Sequence, residues 1–211
     1  MLTLRAFRRF CRDRKGLAAV EFAFILPVML VLFFGIVEYS TALAARTDVT
    51  NIAAIAADLV AQDNAMSGAD MTNVYKASTA TLFPYNDSPN SSDKSSLTLN
   101  IYSIVDNGSS TGKVAWGCTC TAGTCSAITS TTAPTTTPGG GDMIASTYMD
   151  PVTKKMPAYG GPGSVILATV SYTYYSPVTK QMISAPITMG DSFYSKPRRV
   201  QQITKPTSCS G

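Results

Sequence analysis

The chain of 211 residues contains no histidine, a single tryptophan and few charged residues, which make up 14% of the total. Histidine is the usual general base, a member of hydrolytic triads and the commonest metal ligand, so its absence removes the most frequent catalytic designs. The acidic residues are scattered singly, and no glycine-rich phosphate loop is present. The sequence therefore predicts a protein that is not an enzyme and that needs no cofactor or metal. Serine–lysine or carboxylate-pair chemistry is the alternative left open.

The positive charge of the chain is concentrated at its start. The whole sequence has 17 basic and 13 acidic residues, and residues 1–16 hold six of the bases and one of the acids. Without this leader, 11 bases face 12 acids. The remaining charge forms no basic stripe that could follow a phosphate backbone, so nucleic acid is excluded as a partner.

Residues 17–45 form an apolar segment whose only carboxylates are Glu21 and Glu38. A helix rises about 1.5 Å per residue, so this segment would reach roughly 40 Å, enough to cross a hydrocarbon core of about 30 Å. Cationic residues stay on the cytoplasmic side of a first membrane segment. The sequence therefore predicts a single-pass protein with residues 1–16 inside and the chain after Arg46 outside.

Three kinds of N-terminal signal fit this arrangement: a secretory signal peptide cut among the small residues 42–45, a plain signal anchor, and a prepilin-type signal whose helix is kept. A secretory peptide has a shorter apolar region, of about 7 to 15 residues. A plain anchor has no need of an acid, which costs about 2.5 to 3.5 kcal/mol at bilayer depth. Glu21 thus favours the prepilin-type signal, unless it merely lies at headgroup level.

A glycine followed by a glutamate at the fifth position after it is the pattern of a prepilin cleavage site. Here it occurs as GLAAVEF, residues 16–22. The run from residue 16 to residue 57 resembles the N-terminal segment of the TadE-like family, pseudopilins of the tight-adherence, or Flp-type, pilus machinery. The residues that carry the resemblance are Gly16, Leu17, Glu21, Phe22, Pro27, Gly35, Glu38 and Tyr39.

The resemblance implies that prepilin peptidase cuts between Gly16 and Leu17, at a motif completed by Glu21 and Phe22. The new ammonium of Leu17 could then neutralise a Glu21 carboxylate, its own or a neighbour's, because a buried charge is tolerated when it is paired. Glu21 and Glu38 become the expected assembly residues. The implied partners are prepilin peptidase, other pseudopilins, the major pilin and the lipid bilayer. The implied location is the bacterial inner membrane, with the C-terminal domain in the periplasm or incorporated in a pilus.

Residues 46–83 are predicted to form a periplasmic helical region. Apolar positions recur there at spacings of three and four, which predicts an amphipathic continuation of the membrane helix. They are Val49, Ile52, Ala53, Ala56, Leu59 and Val60. A second short helix is expected from about Met71 to Leu82, with Asp70 as its N-cap.

Residues 84–211 are predicted to form an antiparallel β domain. Alternation from Leu97 to Ile101, turn residues at 106–108 and apolar residues at 114–116 indicate a hairpin. The strand Ser164–Tyr175 is apolar on both faces, which predicts a central strand covered by helix, and a final strand is expected at Ile187–Tyr194. A flexible loop rich in threonine, proline and glycine is predicted at 119–141.

The predicted fold class is therefore α+β and pilin-like: a long N-terminal transmembrane helix continues into an outer amphipathic helix that packs on a small antiparallel sheet. The aromatic row of Tyr172 and Tyr174 is predicted to pack in this sheet. A contact surface for neighbouring subunits is the alternative role of the row.

Five cysteines divide by compartment. Cys11 belongs to the leader, whereas Cys118, Cys120, Cys125 and Cys209 lie outside the membrane, where disulfides persist. Of the three possible pairings, a bridge between Cys118 and Cys120 would close a strained ring. Cys125 is therefore expected to pair with one of these two and Cys209 with the other. A zinc site is the rival, but it would need free thiolates and finds no histidine.

The function predicted from these features is that of a pseudopilin or minor pilin-like component needed for assembly of tight-adherence pili. One alternative is a signal-anchored extracytoplasmic binding or adhesion protein whose leader is kept. A membrane-tethered hydrolase is the other.

Overall fold

A computed structural model describes residues 16–90, 94–106, 112–128, 163–176, 186–206 and 209. The chain divides into two compact units: an N-terminal unit, Met1–Thr41, and a globular unit, Ala42–Gly211. The leader before Gly16, with Cys11, the turn residues 107–108 and the part of the predicted loop at 129–141 lie outside the described residues.

The first helix, α1, runs from Leu17 to Ala61 and contains Pro27. Its portion in the globular unit buries one stripe of mostly small side chains, as the predicted amphipathic pattern requires. These are Ala45, Val49, Ile52, Ala53, Ala56, Ala57, Val60 and Ala61. Alanine at five of these eight positions lets the helix backbone come close to its neighbours.

The second helix, α2, spans Gly68–Thr79, and a 3₁₀ turn, Ala80–Leu82, follows it. The predicted N-cap was wrong: the cap is Ser67, whose side chain accepts from the backbone N–H of Asp70 at 3.2 Å. Asp70 in turn accepts from the backbone N–H of Ser67 at 2.9 Å. The two residues form a reciprocal capping box, which the Ser-x-x-Asp spacing could have indicated.

We expect Ser67→Ala to lower the free energy of unfolding of the globular unit by about 1 kcal/mol, because the N–H groups at the start of α2 lose their acceptor. Thr72→Ala is the matched control, since its hydroxyl only donates to the carbonyl of Gly68 in the same helix. Urea unfolding of both variants checks this. Equal losses in the two would show that the cap contributes nothing.

The hydrogen bonds from the side chain and then the backbone of Ser67 lower the pKa of Asp70 below its ordinary value of 3.8. The stabilisation that depends on the Asp70 carboxylate is therefore present above that value and is lost as the pH falls through the lowered pKa. We expect the difference in melting temperature between wild type and Asp70→Asn to be full at neutral pH and to disappear in strong acid.

Within the described residues, five antiparallel strands form one sheet in the order β3-β2-β1-β4-β5. Their bounds are β1 Ser96–Asp106, β2 Gly112–Thr121, β3 Thr124–Ala127, β4 Ser164–Tyr174 and β5 Ile187–Ser195. The predicted hairpin is confirmed as β1 and β2, and the last two strands begin at the predicted residues. The α+β class, with its long apolar N-terminal helix, is likewise confirmed.

Two details of the predicted sheet were wrong. The central strand is β1, because β4 lies one place from the edge. The first part of the loop predicted at 119–141 is not loop, since β2 continues to Thr121 and β3, Thr124–Ala127, follows it after a tight turn. Ala122 and Gly123 in that turn have φ of 51° and 78°, the conformation that a two-residue hairpin turn of the primed type needs.

The main core lies between one face of the sheet and the helices. Buried strand residues from Leu97 to Ile101 and from Ile166 to Tyr174 join the buried stripe of α1 in one cluster. Tyr172 and Tyr174 are 0% and 1% exposed, so they pack in the core and are not a subunit surface. The other face carries a smaller cluster of Ile104, Val114, Val165 and Leu167.

The tail after β5 crosses the end of α1. The backbone N–H of Arg198 donates to the carbonyl of Ala61 at 2.9 Å. Trp116 of β2 donates through Nε1 to the carbonyl of Ile203 at 3.0 Å. The tail therefore links the strand at one edge of the sheet, β5, to β2 near the opposite edge.

Candidate functional site

Helix α1 begins directly at the predicted cleavage point. Gly16 is exposed and lies just before Leu17, the first residue of α1. A Cβ placed on Gly16 would meet no atom within 4 Å, and its backbone does not have the positive φ that favours glycine. The fold itself therefore places no demand for glycine at position 16. A requirement for glycine here would come from an enzyme that binds the segment.

Glu21 lies one helical turn above Leu17. Four residues correspond to a rise of about 6 Å along a helix, and helical side chains tilt toward the N-terminus. Glu21 is exposed. An ammonium group created at Leu17 would thus lie within side-chain reach of the Glu21 carboxylate, and the same carboxylate is open to the amine of a neighbouring chain. The geometry accommodates either pairing.

The side chains that follow Glu21 are apolar and exposed. Phe24 is 78% and Val31 72% exposed. The other exposed large apolar residues of this part are Val20, Phe22, Ile25, Leu26, Val28, Met29, Leu30, Leu32, Phe33, Phe34, Ile36, Tyr39 and Leu43. A continuous apolar surface of this size marks a membrane or protein interaction site. The helix is long and apolar enough to cross a membrane, which makes it compatible with single-pass anchoring.

Glu38 follows the apolar stretch 22–37, and Glu21 precedes it. Glu38 lies 17 residues after Glu21. On a helix this corresponds to a rise of about 25 Å and to a rotation of about 100° around the axis. Because a hydrocarbon core is about 30 Å thick, both carboxylates can lie near its opposite boundaries. Glu38 is half-buried, and Thr41 donates to its carbonyl at 2.9 Å. The two acids therefore face different directions around the helix axis.

The four cysteines outside the leader form two disulfides. Cys118 bonds Cys209, and Cys120 bonds Cys125, the residue opposite it on β3. This is one of the two pairings that the sequence left open. All four sulfur atoms of the rival zinc site are therefore in disulfides and cannot bind a metal as thiolates. The Cys118–Cys209 bridge holds the tail on β2.

A cleft of about 300 Å³ combines a serine with basic residues. Ser164 and Lys196 both line it, together with Arg198 and Arg199. The Ser164 hydroxyl donates to the carbonyl of Gln201, and its side chain is buried. Arg198 forms an ion pair with Asp58. Ser164 thus has a structural role in holding the tail, and the cleft presents positive charge.

Several contacts of the globular unit have no signal in the local sequence. Thr50 of α1 donates to Asp191 of β5 at 2.6 Å, and Tyr75 of α2 donates to Asp87 at 3.0 Å. Burial, followed by the Asp87 charge, raises the pKa of Tyr75. These pairs join residues that are distant along the chain, so no local spacing could have identified them.

Residues 16–58 match the family model described as TadE-like protein. The match begins at the glycine before the predicted cut, and it covers the exposed apolar part of α1 and most of its buried part. It confirms the resemblance seen in the sequence over this segment. No curated protein and no solved structure matches the chain.

Proposed function

We propose that this chain is a membrane-anchored pseudopilin, or minor pilin-like component, needed for assembly of tight-adherence pili. The observation that carries the proposal is the coincidence of three boundaries. The TadE-like match begins at Gly16, helix α1 begins at Leu17, and the exposed apolar surface follows at once. A processing signal and an assembly helix would need this arrangement.

In this proposal prepilin peptidase removes residues 1–16 on the cytoplasmic side and leaves Leu17 as the new N-terminus. The peptidase can require Gly16 because the fold does not use that residue for packing. The basic leader orients α1 in the bacterial inner membrane, with the globular unit in the periplasm. The two disulfides support this location, since they persist in oxidising compartments.

In this proposal the protein acts by assembling with other subunits and not by catalysing a reaction. Glu21 is tolerated poorly in lipid as an unpaired charge, so it favours the state in which an amine of the pilus complex meets it. Other pseudopilins and the major pilin supply apolar helices that can cover the exposed face of α1. Glu38, about 100° away around the axis, would contact a different neighbour. The globular unit would dock on the same machinery.

The test is the N-terminal sequence of the chain isolated from its native membranes. We expect the mature protein to begin at Leu17 and Gly16→Val to retain Met1 or Leu2. Gly35→Val is the matched control, because Gly35 also lies in α1 with open space where a Cβ would be. It should be cleaved normally.

A retained leader in the wild-type chain would overturn the pseudopilin proposal. The same result would favour the alternative, a signal-anchored binding or adhesion protein with an intact N-terminus. A mature chain beginning near residues 42–45 would instead identify a secretory signal peptide, since small residues at that position suit signal peptidase.

A further inference from the structure

One end of the globular unit exposes apolar side chains. Phe83, after the 3₁₀ turn, is 85% exposed, and Ile187, at the start of β5, is 47% exposed. Phe83 is the most exposed large apolar side chain among the residues the structure describes. The contacts that α1 makes with β5 and with the tail after it show that this end is the one at which the chain enters the globular unit.

Strand β5 and helix α1 run in the same direction. Thr50 of α1 donates to Asp191 of β5 at 2.6 Å. Farther along the helix, Ala61 accepts at 2.9 Å from the backbone N–H of Arg198, three residues beyond the end of β5. Residues later in β5 and its tail therefore contact residues later in α1, as in two parallel segments.

The start of β5 consequently lies level with the first residue of the globular unit. Ile187 precedes Asp191 by four residues, about 13 Å along a strand. Ala42 precedes Thr50 by eight residues, about 12 Å along a helix. Ala42 is also the residue bonded to Thr41, the last residue of the N-terminal unit. Ile187 thus lies at the end where the chain enters from the apolar segment.

Phe83 belongs to the same end. Ile187 pairs with Tyr174, the last residue of β4, and the Tyr85 ring packs edge-on against Tyr174 with centroids 5.7 Å apart. Burial, then Tyr174 and then the charge of Asp48, near the start of α1 in this unit, raise the pKa of Tyr85. Phe83 is two residues before Tyr85.

The segment that carries Phe83 is held on both sides. Tyr85 donates from its backbone to Leu82 at 2.8 Å, and Leu82 is only 1% exposed. Asp87 accepts from Tyr75 and, through its carbonyl, from the backbone of Leu97 at 2.7 Å. Phe83 is therefore exposed on an anchored segment, so a partner meets it at little cost in conformational entropy.

Two exposed cations, together with the partly buried Asp48, lie on segments at this end of the unit. Arg46 is exposed one helical turn after Ala42. Lys94 is exposed next to Ser95, whose hydroxyl accepts from the backbone of Tyr175 at the end of β4. Aromatic and aliphatic groups flanked by cations fit the boundary between acyl chains and anionic phosphate headgroups.

We propose that Phe83 and Ile187 form a rim that rests in the headgroup region of the bilayer, beside the point where α1 enters it. The inference rests on the membrane span of the proposed function. A phospholipid surface is the occupant because Ala42 follows the span directly, which keeps this end of the unit within reach of lipid at all times. The rim would hold the globular unit against the membrane until assembly draws it away.

Tryptophan fluorescence of the full chain in vesicles of phosphatidylcholine and phosphatidylglycerol tests the proposal. The variants are F83W for the rim, F33W for the span and F193W as the matched control. Phe193 is 44% exposed on β5, about 20 Å along the strand from Ile187. The native Trp116 is buried and gives the same background in all three.

Vesicles with brominated acyl chains should quench the emission of F83W and F33W and leave F193W unchanged, and F83W should also shift to shorter wavelength on reconstitution. Quenching of F33W without F83W would overturn the rim alone. Loss of quenching in F33W would overturn the span and with it the proposed function. A shift of F83W that appears without quenching, and only at high protein density, would assign Phe83 to a second copy and contradict the lipid proposal.

Discussion

Glu21→Gln is expected to abolish co-isolation of the chain with other pilus subunits while the chain itself stays in the membrane. The glutamine keeps the size of the side chain and removes its charge. Insertion of the single helix becomes easier by up to about 2.5 to 3.5 kcal/mol, the cost of a charged side chain in the hydrocarbon core. Loss of the pair removes about 3 kcal/mol or more from the assembled state, at least about a hundredfold in affinity. The variant should therefore make the single helix more stable in the membrane and weaken its association with other subunits.

The comparison variant is Glu38→Gln, at the other expected assembly residue, which should weaken association less because it lies far from the ammonium that cleavage creates at Leu17. It removes the same group from the same helix at a position about 25 Å away. Chemical crosslinking in intact cells, followed by co-purification, measures association, and alkaline extraction measures membrane residence. If both variants assemble equally well, Glu21 lies only at headgroup level and the charge-pairing mechanism is wrong.

A double variant identifies the partner of the carboxylate. Gly16→Val should keep the leader and so deny Leu17 its free ammonium. If that ammonium and Glu21 form one pair, Glu21→Gln should add little to the defect of Gly16→Val, because interacting sites are not additive. Fully additive losses would mean that Glu21 meets a different cation.

Removal of the Cys118–Cys209 bridge should destabilise the globular unit far more than removal of Cys120–Cys125. The first bridge joins residues 91 apart in sequence and the second joins residues 5 apart. The entropy that a cross-link removes from the unfolded chain grows with the length of the closed loop. The paired alanine variants should lose about 4 to 5 kcal/mol and about 2 kcal/mol respectively.

The two pairs are well matched for this comparison, because all four cysteines are at least 95% buried, with exposed fractions between 0% and 5%. Urea unfolding of the full chain in detergent, without reductant, gives the two losses. Trp116 reports on the tail, since its indole donates to Ile203 between the bridge and β5. Equal losses would show that the tail does not depend on its bridge. Mass spectrometry must first find no free thiol among the four.

Local patterns in the sequence were enough for most of the elements. The three- and four-residue spacing from Val49 to Val60 predicted the buried stripe of α1, and alternation predicted β4 and β5 to within one residue at each end. Such patterns reflect which side of an element is covered, and each residue contributes to them through its own backbone geometry.

The misses have physical causes. The turn at Ala122-Gly123 lacks the asparagine or aspartate that usually marks a two-residue hairpin, so the local sequence does not predict β3. Strand β4 is buried on both faces, which is typical of a central strand. It nevertheless lies one place from the edge of the sheet. Helices cover one of its faces, and the cluster of Val165 and Leu167 lies on the other. Strand order depends on pairing between distant segments, which one strand's composition does not encode.

The candidate site divides in the same way. By itself the sequence determined the basic leader, the apolar span and the spacing of Gly16, Leu17 and Glu21, because these act through local charge, helix rise and peptide recognition. Only the tertiary structure decided that Cys118 pairs with Cys209, that the tail crosses the end of α1, and that Phe83 lies level with the start of the globular unit. Those features arise from contacts between residues far apart in the chain, whose closeness follows from packing of the whole sheet against its helices.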